Sequence, residues 1–235
     1  MRAFLRHHAA RLVEGAIVTF ARFVCAPRVI LETDLSPRRA RVMYANHTSN
    51  ADTVLIWAAL PPEMRRRTRP VAAADYWFTS PLRAFVGGDV FRVLPVERRP
   101  EHREGDPVAD MAEALDGGMS LVIFPEGKRN QGPDALLPFK TGIFHLAARR
   151  PRTEFVPVWI ENLNGVLPKG EKVPVPLICT LRFGPPVTLR PGEEKGAFLE
   201  RARAALTALA PEGAFDAPPP AAEGRPAAEE LPDGG

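Results

Sequence analysis

The chain has 235 residues, of which 45% are hydrophobic and 25% are charged, and its formal net charge is +3. This composition is typical of a globular protein with one domain, and it excludes a chain that is disordered throughout. No run of about 18 apolar residues occurs, which excludes a polytopic membrane protein. The two cysteines, Cys25 and Cys179, lie far apart in the sequence, which excludes a disulfide framework and a zinc site.

The N-terminal segment combines an apolar helical pattern with basic flanks. Apolar residues recur near helical spacing from Leu5 to Val24, and four arginines accompany them: Arg2, Arg6, Arg11 and Arg22. No small-residue cleavage site follows cleanly, so we do not expect a signal peptide. The pattern predicts an amphipathic helix within residues 1–30, which either lies in a membrane interface or covers the core.

Short apolar runs alternate with helical patterns along the rest of the chain. Apolar runs predict strands at 41–47, 70–73, 91–96, 120–127, 155–160 and 177–183, two of which (41–47 and 120–127) run into loops. Helical patterns cover 52–60, 106–115, 139–150 and 193–210. The alternation predicts an α/β fold with a largely parallel central sheet flanked by helices, and the uninterrupted apolar strands favour a sheet covered on both faces.

Charge divides the chain unevenly. Residues 211–235 hold six acidic residues, one basic residue and six prolines, and we expect this segment to be a disordered tail. Residues 31–210 then form the folded domain that follows the N-terminal helix. Residues 1–210 carry a net charge of +8, and the excess lies in residues 1–103. A basic half of this kind favours an anionic membrane or a phosphorylated partner.

The segment Asn46-His47-Thr-Ser-Asn-Ala-Asp52 places a histidine after a predicted strand and a carboxylate at the start of the next helix. A loop can bring Asp52 to one ring nitrogen of His47. The carboxylate would then fix the tautomer and stabilise the imidazolium, while the other nitrogen takes a proton. On this spacing alone, a helix-capping aspartate beside a surface histidine stays open.

A second polar cluster, FPEGKRN at 124–130, ends a buried strand, where α/β proteins place their sites. Gly127 permits a close backbone approach, and Arg129 can bind a phosphate through two parallel hydrogen bonds. Taken alone, the cluster could equally be an ordinary charged turn. Two further blocks are PVER, at 95–98, and VPV, at 156–158.

The order NH-x4-D, PVER, FPEG-x-R and VPV resembles the four-block pattern of the glycerolipid acyltransferases, the 1-acylglycerol-3-phosphate acyltransferases and their relatives. The likeness runs from about residue 40 to 190 and includes PFKTGIFHLA at 138–147. It implies that family's fold. It also implies transfer of a fatty acyl group from an acyl-CoA or acyl carrier protein thioester to a lysophospholipid hydroxyl, with 1-acyl-sn-glycerol-3-phosphate as the acceptor and phosphatidic acid as the product.

The resemblance also implies roles for individual residues. His47 would be the general base on the acceptor hydroxyl and Asp52 would orient it, without an acyl-enzyme. Pro157 would shape the acyl pocket. The acceptor would be bound by residues of the second and third blocks: Arg98, Glu126, Gly127, Lys128 and Arg129. No metal or cofactor would be required besides the thioester co-substrate.

Two departures from the family pattern leave alternatives for the acceptor. Lys128 and Asn130 stand where the third block usually has Thr and Ser, and Glu97 stands for an aspartate. Another lysolipid or an aminolipid therefore stays open as acceptor, and the basic half leaves open a non-catalytic module that binds membrane or carrier protein. An arginine cluster at 65–69 could meet anionic lipid or an acyl carrier protein.

We expect the chain to act on an anionic membrane surface. Its position would be peripheral or monotopic on the cytoplasmic face of the cell membrane, where a lysophospholipid acceptor is present. We expect no nucleic-acid partner, since no recognised binding motif accompanies the charge.

Overall fold

The computed structural model describes residues 1–37, 39–97, 105–130, 132, 134, 136–166 and 176–212. These residues form one seven-stranded sheet in the order β1-β7-β6-β2-β5-β3-β4. The strands are β1 Arg28–Leu31, β2 Arg41–Ala45, β3 Thr68–Ala73, β4 Leu94–Val96, β5 Ser120–Ile123, β6 Glu154–Glu161 and β7 Thr180–Phe183. Every neighbouring pair is parallel except β6 and β7, which confirms the largely parallel sheet.

Helices connect most of the strands. They are α1 Arg2–Cys25, α2 Asp52–Ala59, α3 Pro62–Arg66, α4 Ala74–Trp77, α5 Pro81–Phe85, α6 Pro107–Asp116, α7 Gly142–Arg149, α8 Leu163–Val166 and α9 Lys195–Thr207. One turn of π-helix, Val86–Val90, follows α5. Among the described helices, none combines the length and the apolar character that a membrane crossing requires.

The core lies on both faces of the sheet, as the apolar strands predict. Alternate residues of β2 point to opposite faces. Tyr44 packs in the cluster that α6, α7 and α9 cover, and its hydroxyl donates to the carbonyl of Ala202 in α9 at 2.9 Å. Met43 packs in the other cluster with Ile56 of α2. The central strands are therefore dry on both sides, and polar groups for chemistry are left to the strand ends.

Helix α1 has two apolar faces. Its inward face packs on α2 and on the π-helical turn through small and branched residues: Ala10, Val18 and Ala21. Its outward face exposes large apolar side chains, namely Phe4, Leu5, Leu12, Phe20 and Phe23. The helix thus covers the core and also presents an unburied apolar surface. The domain boundary predicted at residue 30 falls within β1, which pairs with β7, while residues 213–235 of the predicted tail lie outside the described residues.

The arginine cluster at 65–69 is largely engaged within the fold. Arg65 is buried, donates to the carbonyl of Leu60 at 3.0 Å and approaches Glu14 of α1 at 3.6 Å. Arg67 and Arg69 also donate to backbone carbonyls, while Arg66 is exposed. Arg65 and Arg69 therefore hold local segments together, Arg66 and Arg67 are exposed, and a contact of the cluster with anionic lipid or an acyl carrier protein stays a prediction.

Candidate active site

The site lies where β2 and β5 end side by side. These two strands are parallel neighbours, so the segments that leave their carboxyl ends emerge at the same edge of the sheet. The exit from β2 is pinned by Asn46. Its side-chain amide accepts from the Ile160 N–H at 2.8 Å and donates to the Ile160 carbonyl at 3.0 Å. His47 therefore follows a fixed point of the backbone.

His47 and Asp52 are in direct contact. The Nδ1–H of His47 donates to Oδ2 of Asp52 at 2.8 Å, which leaves Nε2 as the ring atom that can take a proton. The side chain of Asp52 is fully buried, whereas that of His47 is 19% exposed. The arrangement of a histidine held by an inaccessible carboxylate is present, and it differs from a surface histidine beside a capping aspartate.

The Asp52 carboxylate is fixed by the loop that carries His47. Its Oδ2 also accepts from the N–H groups of Thr48 at 2.7 Å and Ser49 at 2.8 Å. Its Oδ1 is buried and has no hydrogen-bond partner among the described residues. A carboxylate that faces N–H groups and an imidazole, with no arginine among these partners, is suited to stabilise a positive charge that forms on the ring.

The segment 124–130 wraps around His47. The ring of Phe124 stacks on the imidazole with centroids 4.2 Å apart. Glu126 is 1% exposed, and its Oε1 accepts from the His47 N–H at 2.8 Å. Its Oε2 accepts from the Leu137 N–H, also at 2.8 Å. Burial raises the pKa of Glu126 above the ordinary glutamate value, although both N–H groups oppose that shift.

Gly127 turns the chain away from the strand. It has a positive φ of 71°, and a Cβ atom there would lie 3.2 Å from Cγ of Lys140. Lys128 and Arg129 follow it and are exposed, as is Lys140. Three cations therefore surround one glycine turn. Sequence reasoning did not select Lys140 individually, although it lies in the segment 138–147 that resembles the family.

Asn130 is a second residue whose function sequence reasoning missed. Its N–H donates to the His47 carbonyl at 2.6 Å. Its side chain accepts from the Gly132 N–H at 3.1 Å and donates to the Asp134 carbonyl. The residue that departs from the usual third block therefore organises the loop beside His47.

Glu126 lies differently from the expectation, while the predicted roles of Pro157 and Arg98 stay predictions. The carboxylate of Glu126 is turned inward onto backbone N–H groups, away from solvent where an acceptor would approach. Pro157 is buried in β6 opposite Tyr44, on the face that packs against Leu209, and its role in shaping the acyl pocket stays a prediction. Arg98 lies outside the described residues.

Pro157 is tolerated inside a central strand because the regular pairing of β6 with β7 ends one residue away, at Val158 and Phe183. Its carbonyl accepts from the Gly184 N–H at 3.0 Å, so the missing N–H of the proline faces the same side. Two prolines follow Gly184 before the chain meets β6 again at Phe155 and Val187. The proline therefore has a structural reason.

Among the described residues, no group of three or more His, Cys, Asp or Glu side chains is placed to hold a metal ion.

The chain is similar in sequence to curated acyltransferases. The chain is 30% identical over 159 residues to the 1-acyl-sn-glycerol-3-phosphate acyltransferase alpha of Mus musculus, covering 65% of this chain and 51% of that protein. It is 32% identical over 123 residues to the lyso-ornithine lipid O-acyltransferase of Rhizobium meliloti, covering 52% of this chain and 38% of that protein. The chain spans about half the length, or less, of the curated relatives it matches.

A solved structure shares the fold. The 1-acyl-sn-glycerophosphate acyltransferase PlsC from Thermotoga maritima superposes with a TM-score of 0.65 at 21% identity, covering 88% of this chain and 83% of that one. The family model described as Acyltransferase matches residues 27–161, more than half of the chain, and that range contains both His47 and Glu126. The chain therefore belongs to the acyltransferase family.

Proposed function

We propose that the chain transfers a fatty acyl group from an acyl thioester to the hydroxyl of a lysophospholipid, with 1-acyl-sn-glycerol-3-phosphate as the acceptor. The observation that carries this proposal is the His47–Asp52 pair, whose carboxylate is buried and whose ring is partly open at the carboxyl edge of the sheet. Membership of the acyltransferase family and the name of the mouse relative support it.

The proposed reaction needs one base and no covalent intermediate. Nε2 of His47 takes the proton of the acceptor hydroxyl as its oxygen attacks the thioester carbonyl carbon. The carbon–oxygen bond forms, the carbon–sulfur bond breaks, and the imidazolium returns its proton to the leaving thiolate. Asp52 holds the ring in the required tautomer and stabilises the imidazolium while it exists. The free thiol and the acylated lipid are the products.

The acceptor phosphate would bind at the exposed cations that follow Glu126. Lys128 and Arg129 lie on the glycine turn, and Lys140 packs against that turn. Gly127 allows the backbone to come close to the ligand, and Arg98 is the further cation that the family pattern supplies. An arginine can bind a phosphate with two parallel hydrogen bonds, while a lysine contributes a point charge.

A second acceptor class is supported by one departure from the family pattern. Lys128 and Asn130 replace the usual Thr and Ser, and one relative is named a lyso-ornithine lipid O-acyltransferase. The alternative is therefore the same acyl transfer to another lysolipid or to an aminolipid. The acyl donor is either acyl-CoA or acyl carrier protein.

The enzyme would work while bound to an anionic membrane surface. The outward face of α1 exposes the large apolar residues Phe4, Leu5, Leu12, Phe20 and Phe23, and Arg11 and Arg22 beside them are exposed too. An apolar stripe with basic borders is the pattern of a helix that lies in the membrane interface. We therefore propose a peripheral or monotopic position, on the cytoplasmic face of the cell membrane.

A panel of donors and acceptors tests the proposal. Purified protein is mixed with anionic vesicles, acyl-CoA or acyl carrier protein thioester, and one acceptor at a time, and thiol release and lipid products are measured. We expect thiol release that depends on lysophosphatidic acid. Preference for a lyso-ornithine lipid would favour the second acceptor class. Vesicle binding without thiol release for any acceptor would contradict the enzyme and favour a binding module.

A further inference from the structure

We propose that Glu126 is a positioning residue, which holds the backbone of His47 in the orientation that acyl transfer requires and does not itself bind the acceptor. This role rests on the proposed function and adds a residue to its machinery. It replaces the expectation that the third block contributes this carboxylate as a ligand for the acceptor.

The geometry of Glu126 is that of a bridge between two chain segments. One oxygen accepts from the N–H of His47, and the other accepts from the N–H of Leu137, each at 2.8 Å. His47 lies 79 positions before Glu126, and Leu137 lies 11 positions after it. Glu126 is 1% exposed, so its side chain contacts other parts of the protein and not solvent. The bridge ties the exit of β2 to the loop that follows β5.

The same segment holds His47 from other directions. Asn130 donates its N–H to the His47 carbonyl at 2.6 Å, so the N–H and the carbonyl of one residue are both bound. Phe124 stacks on the ring, and Asp52 binds Nδ1. These contacts fix the backbone of His47, one face of its ring and its Nδ1 atom, so Nε2 can point in only one direction. The catalytic geometry therefore depends on the third block even without any contact to substrate.

A carboxylate is required at this position because two donors converge on it. An amide of the same shape offers one oxygen and one NH₂ group, so one of the two backbone N–H groups would face another donor. A buried donor left without an acceptor is destabilising. The charge also matters. The negative carboxylate lies close enough to His47 to attract the imidazolium, while Asp52 is a like charge that it must tolerate.

The kinetic consequence separates positioning from binding. Loss of a residue that orients a catalytic group lowers kcat, because the reacting atoms are misaligned after the substrate has bound. Loss of a residue that contacts the acceptor equally in the ground and transition states raises its KM instead. We expect Glu126→Gln to lower kcat by about 10- to 100-fold, with KM for the acceptor changed less than about twofold.

Three variants make the test specific. Glu126→Gln removes the charge and one acceptor. Lys128→Gln removes a charge two residues away, at a cation proposed to bind the acceptor phosphate, and should raise KM with kcat nearly unchanged. Glu63→Gln removes an exposed carboxylate in α3 and should change neither constant. A raised acceptor KM with normal kcat in Glu126→Gln would overturn the proposal, and so would unchanged kinetics.

A measurement on the unaltered protein decides the matter even if Glu126→Gln does not fold. The amide signals of His47 and Leu137 are followed by NMR as pH is lowered. If one carboxylate accepts from both, the two amides shift together with a single midpoint above the ordinary glutamate value. The ionisable groups that act on Glu126 are His47 and Asp52, and the cations on the same turn are Lys128, Arg129 and Lys140.

Separate midpoints for the two amides, or no shift of Leu137, would overturn the bridge. This measurement needs neither donor nor acceptor. A protein that fails to transfer acyl groups to any lysolipid would refute the proposed function, while the shared titration would still establish the contact between Glu126 and the two amides.

Discussion

The two edges of the sheet both carry carboxylates, but they use them differently. At the amino edge, Asp116 is about half exposed and is paired with Arg150, and Arg149 beside it is paired with the equally exposed Asp106 from the start of α6. At the carboxyl edge, Asp52 and Glu126 are buried and accept from backbone N–H groups and an imidazole. Carboxylates paired with arginine are satisfied, whereas carboxylates held by neutral donors keep a negative charge available for a positive charge that forms during a reaction.

The cavity at the amino edge does not coincide with the residues to which the chemistry is assigned. A cavity of about 370 Å³ lies at the amino edge, lined by Arg149, Arg150 and Arg152 among others. Two of these arginines are already engaged by Asp106 and Asp116. The chemistry is instead assigned to the edge where a histidine, two buried carboxylates and three exposed cations meet. The carboxyl edge differs from the amino edge because its carboxylates accept from backbone N–H groups and an imidazole and not from arginines.

Exchanging one carboxylate at each edge should give the largest difference. Asp52→Asn removes the charge that stabilises the His47 imidazolium and should lower kcat by about 10²- to 10⁴-fold. Asp116→Asn removes one partner of an exposed ion pair at the other edge and should leave kcat within about twofold. Steady-state thiol release measures both. Equal losses in the two variants would show that the edges do not differ in function.

The membrane should meet the carboxyl edge. The carbonyl of Cys25, at the end of α1, accepts from the Cys179 N–H at 2.8 Å, and β7 begins one residue later opposite the last residue of β6. Phe23 is 78% exposed at this end. We expect Phe23→Glu to weaken binding to anionic vesicles by about 10-fold or more, because it removes an apolar side chain from the interface.

Vesicle sedimentation measures this binding, and Arg152→Glu serves as the control at the amino edge. Although Arg152→Glu removes a positive charge, it should leave vesicle binding within about twofold. A larger loss in Arg152→Glu than in Phe23→Glu would mean that the amino edge faces the lipid.

The smallest expected effect concerns stability: the contributions of Glu126 and Asp116 to the free energy of unfolding should change with pH in opposite directions. Burial raises the pKa of Glu126, so ionising this carboxyl group costs folding free energy that the two N–H bonds offset only in part, and stability falls as pH rises from about 4.5 through the folded value. The Arg150 guanidinium lowers the pKa of Asp116, so that contribution is present above the ordinary aspartate value and is lost as pH falls.

Urea unfolding between pH 2.5 and about 7 checks these signs. The difference in unfolding free energy between the unaltered protein and Glu126→Gln should fall with rising pH. The corresponding difference for Asp116→Asn should rise with pH. If both differences changed with pH in the same direction, the buried Glu126 and the exposed Asp116 would not be distinct in this respect.

Local features of the site could be predicted from the sequence, and long-range ones could not. The contact of His47 with Asp52 could be anticipated because five positions separate a strand end from a helix start, and the family resemblance favoured it over a capping aspartate. The inward turn of Glu126 depends on an N–H group 79 positions away, and no local pattern reports such a contact. Pro157 lies in a family motif, yet its position opposite Tyr44 is set by the register of β6 on β2.

The fold shows the same division. Continuous apolar runs predicted the buried strands β2, β5 and β6, since these are covered on both faces. The edge strand β1 was missed because it has four residues, three of them exposed, and it follows α1 almost directly. The burial of Arg65 was not predicted because its partners, Glu14 and Trp57, come from other elements.

We propose His47 as the base for acyl transfer at the carboxyl edge. Single-turnover acyl transfer to lysophosphatidic acid in anionic vesicles tests it, with His47→Ala compared with His145→Ala. His145 is an exposed histidine on α7 and provides the matched control. We expect a loss of about 10²- to 10⁴-fold in His47→Ala and an unchanged rate in His145→Ala. A normal rate in His47→Ala would contradict it.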